Sequence, residues 1–404
     1  MAVCLSTVIA LKYPFEDIMP AYRTQAEMLS QGKKEFGFLP VGYSLLMANW
    51  TGLAFSSHLK MLQLIFLWGT WLIFSLAVVK SIPLFKNESK FKKTSSLIVC
   101  LGICSLFLNP YFLIGVIRVS DNGLNIFLLA ILFYCILALE TSRSLLLWIV
   151  SGLTLGYLIL VRPNAVSLIP VFFISNRHSG LSFRSFLFFL FTALLVLCAV
   201  SFAVTGQPFY WPANGGYNLF AGNNPYSFSE LISNYNAEYS LDGALKWCGL
   251  SENRFTATQE QFVLCTRKFL FEEPTVFFQT TLYKIFNLLF RPNLRLADTT
   301  IKSVVQVLLV IPAYCWWFSF VCYRKFRKSW PGTSAFWLLV FYSIPFVFTN
   351  TDPRFRIPLD TVYILSGLSF ILLNESKQDS AQHRSSDRDP QNNPHQERLE
   401  SHAF

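Results

Sequence analysis

The chain has 404 residues, of which 53% are hydrophobic and 14% charged, with 41 Phe and a formal charge of +10. Soluble domains carry roughly 25% charged residues, so this composition excludes an ordinary water-soluble enzyme and predicts a polytopic α-helical membrane protein. The basic residues sit between apolar runs, which speaks for membrane topology and against nucleic acid as a partner.

Residues 1–11 are apolar but short of the roughly 20 residues that hydrocarbon requires. They read as the last turns of a first helix. No charged n-region or A-x-A site points to a cleaved signal peptide. Residues 12–58 then form a first outer loop, opening with the acidic pair Glu16 and Asp17. An amphipathic stretch follows, in which Tyr22, Ala26 and Leu29 share one helical face, and Pro40-Val41-Gly42-Tyr43 breaks it. An interfacial helix lying on a bilayer has this pattern. By spacing alone, Asp17 reads first as a solvated loop carboxylate.

Spans are expected near residues 60–83, 95–117, 122–140, 144–161, 164–176, 184–205, 300–322, 334–350 and 357–373, about ten helices with the first one included. Lys86, Lys90, Lys92 and Lys93 follow the second span, Arg143 the fourth, Arg177 and Arg184 the sixth, and Arg324, Lys325, Arg327 and Lys328 the eighth. All four clusters fall on one face, which the positive-inside rule makes cytoplasmic. A polar tail, residues 374–404, joins them and has the composition of a disordered segment. The opposite face receives residues 12–58, the turns at Ser120-Asp121 and Val161–Asn164, a long loop over 206–299, and residues 349–356.

Charge at membrane depth usually marks a site, whereas charge at the interface can snorkel. Taken singly, Arg118, Asp121 and Arg162 read as interfacial anchors. Convergence changes the reading, because Asp17, Asp121, Arg162, Arg354 and Arg356 share the outer face. The long loop carries "WPANGGYNLFAGNNPYSFSE", whose Gly215-Gly216 and Gly222-Asn223-Asn224-Pro225 permit tight turns. The same residues would serve a plain structural loop. Residues 256–290 read as a partly amphipathic helix resting on the membrane. Cys248 and Cys265 lie on the oxidising side, where a disulfide is plausible. Cys100, Cys104, Cys135, Cys198 and Cys315 lie in apolar runs and read as small buried hydrophobes. No CxxC pair and no acidic cage is present, so no metal and no cofactor are expected.

Together these residues resemble the C-type (GT-C) membrane glycosyltransferases, in the bacterial branch related to protein O-mannosyltransferases and the aminoarabinose transferase of lipid A. The matching pieces are "DIMPAYRTQA", "LPVGYSLLMA", "LNPYFLIGVIRVSDNGLNIFLLAIL", "GLTLGYLILVRPNAVSLIP", "NGGYNLFAGNNPYS" and "DPRFRIPLDTVYILSGLSF". They occur in the family's order and cover residues 13–373. The resemblance implies one GT-C transmembrane domain over residues 1–373. It also implies transfer of a sugar from a polyprenyl-phosphate donor to a glycolipid, glycan or protein acceptor, at the outer face of a bacterial inner membrane. Asp17 matches the acidic residue that draws a proton from the acceptor hydroxyl. Its spacing from Tyr22 is one residue longer than in the family, which keeps Glu16 as a rival base. Arg162, Arg354 and Arg356 are the implied cations for the donor phosphate. Asp121, Tyr22, Tyr43, Asn223, Asn224 and Asp352 fall to acceptor-side or structural roles. The alternatives are a lipid-linked polysaccharide polymerase or flippase, and a secondary transporter. A flippase should carry charges mid-span, and the expected spans are nearly free of them; a transporter should show repeat symmetry, and none is found.

Overall fold

The computed structural model describes residues 7, 20–33, 39–48, 55–81, 121–141, 144–178, 183–209, 212, 214–233, 241–250, 257–289, 311, 313–322, 324, 330–349, 359–360, 362–364 and 366. Among these residues every regular element is helical and none is a strand. In chain order the helices are α1 (Pro20–Ser30), α2 (Val41–Ala48), α3 (Phe55–Ser81), α4 (Asn122–Thr141), α5 (Leu145–Val161), α6 (Ile169–His178) and α7 (Phe183–Thr205). They continue with α8 (Asn214–Gly222), α9 (Ser227–Ser233), α10 (Leu241–Trp247), α11 (Gln259–Glu272), α12 (Pro274–Leu289) and α13 (Trp330–Phe348). A shorter apolar helix covers Ala313–Cys322.

Among the described residues, three helices are long and apolar enough to cross a membrane, at His58–Ala77, Asn122–Leu139 and Phe183–Thr205. The apolar stretches Leu145–Val161 and Gly332–Phe348 are somewhat shorter. These bounds agree with the expected spans to within a few residues. The expected span at 95–117 lies outside the described residues, and those at 300–322 and 357–373 are described only in part. One expectation is corrected. Residues 164–176 do not run as one α-helix, because a 3-10 turn over Pro163–Leu168 precedes α6. Pro170 has no N–H to give to the carbonyl four residues back, so the α ladder cannot pass through it.

Burial ranks the helices. In the central span, Asn122–Leu139, 78% of the residues are buried inside the protein, against 22% for Phe183–Thr205 at the rim. The helix α3 shows both kinds of face. Leu59, Leu62, Phe66, Leu67 and Phe74 are buried, while Met61, Ile65, Trp68, Leu72 and Leu76 form an exposed apolar stripe. A helix that is apolar all round suits a hydrocarbon surround and not water. The two glycines of "SGLTLGY" let α5 and α7 approach closely. A Cβ at Gly156 would meet the Ala193 carbonyl oxygen at 2.5 Å, and one at Gly152 would overlap Thr192 Oγ1. Small residues four apart are a recurrent device for helix contact in membranes. Because Gly152 faces Phe189 and Gly156 faces Ala193, α5 and α7 run parallel and finish at the same end. There Val41, Leu160 and Val204 pack together.

The expected long loop over 206–299 contains a small structure of its own. Tyr217, Phe220, Ala221, Leu241, Ala244, Leu245, Phe262 and Cys265 form a satellite core. Cys248 and Cys265 are joined in a disulfide, with their Cα atoms 5.8 Å apart. Thr258 starts α11 with a capping box: its hydroxyl accepts from Gln261 N, and Gln261 Oε1 accepts from Thr258 N at 2.7 Å. The exchange satisfies two backbone donors that a helix start otherwise leaves open.

Candidate functional site

The site grows from two helix ends. Chain geometry brings the start of α4 beside the end of α5, and each end carries one charge. Arg162, in extended conformation just past α5, donates from Nε to Asp121 Oδ2 at 2.7 Å and from Nη2 to Asn122 Oδ1. Both residues are buried, with side-chain exposures of 10% and 9%. This differs from the expected roles as separate anchors at the interface. Asp121 thereby balances the Arg162 charge. Burial explains the pairing, because a desolvated charge is tolerated only with a partner and further hydrogen bonds.

The first outer segment packs onto this pair. On α1, Tyr22 and Ala26 are buried, as the helical spacing predicts. Tyr22 lies edge-on to Tyr43 with ring centroids 5.3 Å apart, and it is within electrostatic reach of Arg162. Ser44 donates to Gln25 Oε1 at 2.8 Å, and Gln25 Nε2 donates to the Leu39 carbonyl at 3.1 Å, which joins α1 to α2. Gly42 explains why the turn needs its glycine. A Cβ there would sit 2.8 Å from the backbone of Leu160 and Val161, and Tyr157 donates to the Gly42 carbonyl at 2.8 Å. Gln63 on α3 donates to the Tyr43 hydroxyl at 2.6 Å. On the other side, Asn125 Nδ2 donates to the Tyr342 hydroxyl of α13 at 3.2 Å. Asn125 Oδ1 is buried and, among the described residues, has no hydrogen-bond partner.

A second polar cluster lies at the end of α13. Asn223 Nδ2 donates to the carbonyls of Leu219 and Phe348, each at 2.7 Å. Lys284 on α12 donates to Asn223 Oδ1 at 3.0 Å and to the Thr349 carbonyl at 2.8 Å. Asn224 serves its own turn, donating to the carbonyls of Phe220 and Ala221 and accepting from Tyr226 N. Lys284 is fully buried. Burial pushes its ammonium down to a pKa of about 7. Among the described residues no carboxylate pairs with it.

Of the expected site residues, Tyr22, Tyr43, Asp121 and Arg162 are thus brought together. Asn223 and Asn224 form the second cluster, which α13 connects to the first through Tyr342 and Phe348. Glu16, Asp17, Asp352, Arg354 and Arg356 lie outside the described residues. Lys284, Asn122, Asn125 and Tyr342 are absent from the sequence reading. Lys284 had a usable signal. Thr280, Lys284 and Asn287 form a polar stripe that is buried, opposite the exposed Phe278, Leu282 and Phe286. Among the described residues no group of His, Cys, Asp or Glu could hold a metal ion.

No protein family, curated protein or solved structure matches this chain.

Proposed function

We propose that this chain is an integral-membrane glycosyltransferase that moves a sugar from a polyprenyl-phosphate donor to a glycolipid, glycan or protein acceptor at the extracytoplasmic face. The observation that carries the reading is convergence. Tyr22, Tyr43, Asp121 and Arg162 come from four of the pieces quoted above for the GT-C resemblance, the last of which also brings Tyr157, and they gather around the start of α4. Asn125 Oδ1 adds a buried acceptor left for a polar guest.

In this reading the Asp121–Arg162 pair is the frame and not the chemistry. It fixes the ends of α4 and α5 so that Tyr22 and Tyr43 have a rigid floor. Asp17, shortly before α1, takes the proton from the acceptor hydroxyl as that oxygen attacks the anomeric carbon. Arg354 and Arg356, shortly after α13, hold the phosphate that leaves with its lipid. The glycosyl bond to phosphate breaks as the new bond to the acceptor forms, and the electron pair departs on the phosphate oxygen.

The test is transfer from a polyprenyl-phosphate sugar by the purified chain in lipid nanodiscs. Arg354→Lys keeps charge but loses the planar fork, so donor use should weaken while membrane insertion stays normal. Full activity in both Arg354→Ala and Arg356→Ala would remove the phosphate role.

A further inference from the structure

The satellite core is thin. It is built from the rings of Tyr217, Phe220 and Phe262, with aliphatic side chains of α10 around them. Phe262 of α11 lies edge-on to Tyr217 at 5.6 Å and 5.7 Å from Phe220, both on α8. These two helices sit close, since a Cβ at Gly216 would meet the Gln259 carbonyl oxygen at 2.6 Å. So few apolar side chains rarely hold short helices together without a staple. The staple here is the Cys248–Cys265 disulfide, which spans 17 positions and joins the end of α10 to the middle of α11. Lys268 reinforces the junction, with its ammonium 4.5 Å from the centre of the Trp247 ring.

Asn223 connects this core to α12 and α13. It follows Gly222, the last residue of α8, and its Nδ2 donates to the Leu219 carbonyl of that helix at 2.7 Å. The carboxamide therefore travels with α8. The same Nδ2 donates to the Phe348 carbonyl of α13 at 2.7 Å, and Oδ1 accepts from Lys284 of α12 at 3.0 Å. Among the described residues, Lys284 is compensated only by neutral oxygens, Asn223 Oδ1 and the Thr349 carbonyl. Losing one of them leaves a desolvated cation poorly balanced. A shift of α8 on α11 is thus felt at α12 and at the end of α13.

We propose that the Cys248–Cys265 disulfide sets a redox-dependent clamp: closing it seats α8, which brings Asn223 onto Lys284 and onto the end of α13. In the closing step the two thiols together lose two protons and two electrons. A disulfide-bearing oxidant, either a thiol–disulfide oxidoreductase or a small-molecule disulfide, takes them through a mixed disulfide and leaves as two thiols. The clamp is therefore made where such an oxidant is present, and stays open where thiols are kept reduced. It stands whether or not the chain transfers sugar.

Hydrogen exchange by mass spectrometry on the full chain in nanodiscs tests the clamp, with the oxidised protein compared before and after reduction by a phosphine. Opening a loop of this length should speed exchange over residues 214–222 and 274–289 by roughly 100-fold, with residues 183–205 unchanged. Glutathione disulfide should restore the slow exchange. Acceleration confined to residues 241–272 would overturn the clamp, because the staple would then act only on its own neighbourhood. Equal acceleration at 183–205 would also overturn it, since the bond would then be a general stabiliser. Asn223→Leu isolates the relay. In that variant, residues 274–289 should exchange faster from the start and no longer respond to reduction, while 214–222 still do. A full further response at 274–289 would remove Asn223 from the path. Alkylation of growing cells should find the two cysteines joined, and free thiols on both would mean that the clamp is never set.

Discussion

The Asp121 carboxylate accepts a hydrogen bond from Arg162 Nε at 2.7 Å, although 41 positions separate the two residues in the chain. The pair closes the gap between the start of one helix and the end of its antiparallel neighbour. Removing one partner strands a buried charge, at a cost of about 3–5 kcal/mol. Asp121→Ala and Arg162→Ala should therefore each lower the midpoint of thermal unfolding in detergent strongly. The double variant Asp121→Asn with Arg162→Gln should be milder than either single one. A double variant as damaged as the sum of the singles would show that the two side chains act separately.

The close approach of α5 and α7 gives a second expectation. Gly156→Leu would drive a side chain into the Ala193 backbone, and Gly152→Val would meet Phe189 and Thr192. Overpacking a tight contact costs roughly 1–3 kcal/mol or more. Both variants should lose monodisperse protein in size-exclusion chromatography, whereas Gly243→Ala, in looser surroundings beside Tyr226, should not. Normal elution of Gly156→Leu would mean that the helices can part at no cost.

Lys284 makes a pH-dependent contribution whose sign is fixed. Its folded pKa is depressed to about 7 from an ordinary value of 10.5. Between those values the unfolded chain binds the extra proton, so this residue's contribution to stability rises with pH from about 7 to about 10 and is flat above. The difference in unfolding midpoint between wild type and Lys284→Met, followed against pH, should grow over that window. A difference that shrinks as pH rises would require a charge partner that holds the ammonium protonated.

The proton acceptor proposed for the transferase is tested by two conservative changes. Asp17→Asn keeps size and most hydrogen bonding but removes the proposed base, so transfer should fall by about 10²–10⁴-fold with donor binding little changed. Glu16→Gln should be far milder. The reverse ranking in the same assay would give the role to Glu16.

Much of the helical layout was legible in the sequence, because length and apolarity are local properties. The expected 122–140 and 184–205 differ from the observed helices by about one residue at an end. The face of α1 with Tyr22 and Ala26 was also legible, since its spacing alone puts both inward. The Asp121–Arg162 bond was not. Each residue stands at a helix end, where snorkelling explains a charge equally well, and the pairing depends on which ends meet. Lys284 was missed for a related reason. A lone lysine in an amphipathic segment reads as the water-facing side, and that inference holds only where the outside is water. Residues 164–176 were read by composition, which hides the effect of Pro170 on the hydrogen-bond ladder.

The helix α12 is built inside out. Its polar residues Thr280, Lys284 and Asn287 are buried, and Phe278, Leu282 and Phe286 face outward. An apolar stripe of this kind settles at the boundary between acyl chains and headgroups. Cut from the spans, a fragment of residues 206–289 would carry the stripe into water and aggregate, despite its disulfide. By length and composition α3, α4 and α7 could cross a bilayer, and the stripe would then hold α12 at its boundary. Bilayer thickness would in that case set how far α12 can slide against the crossing helices.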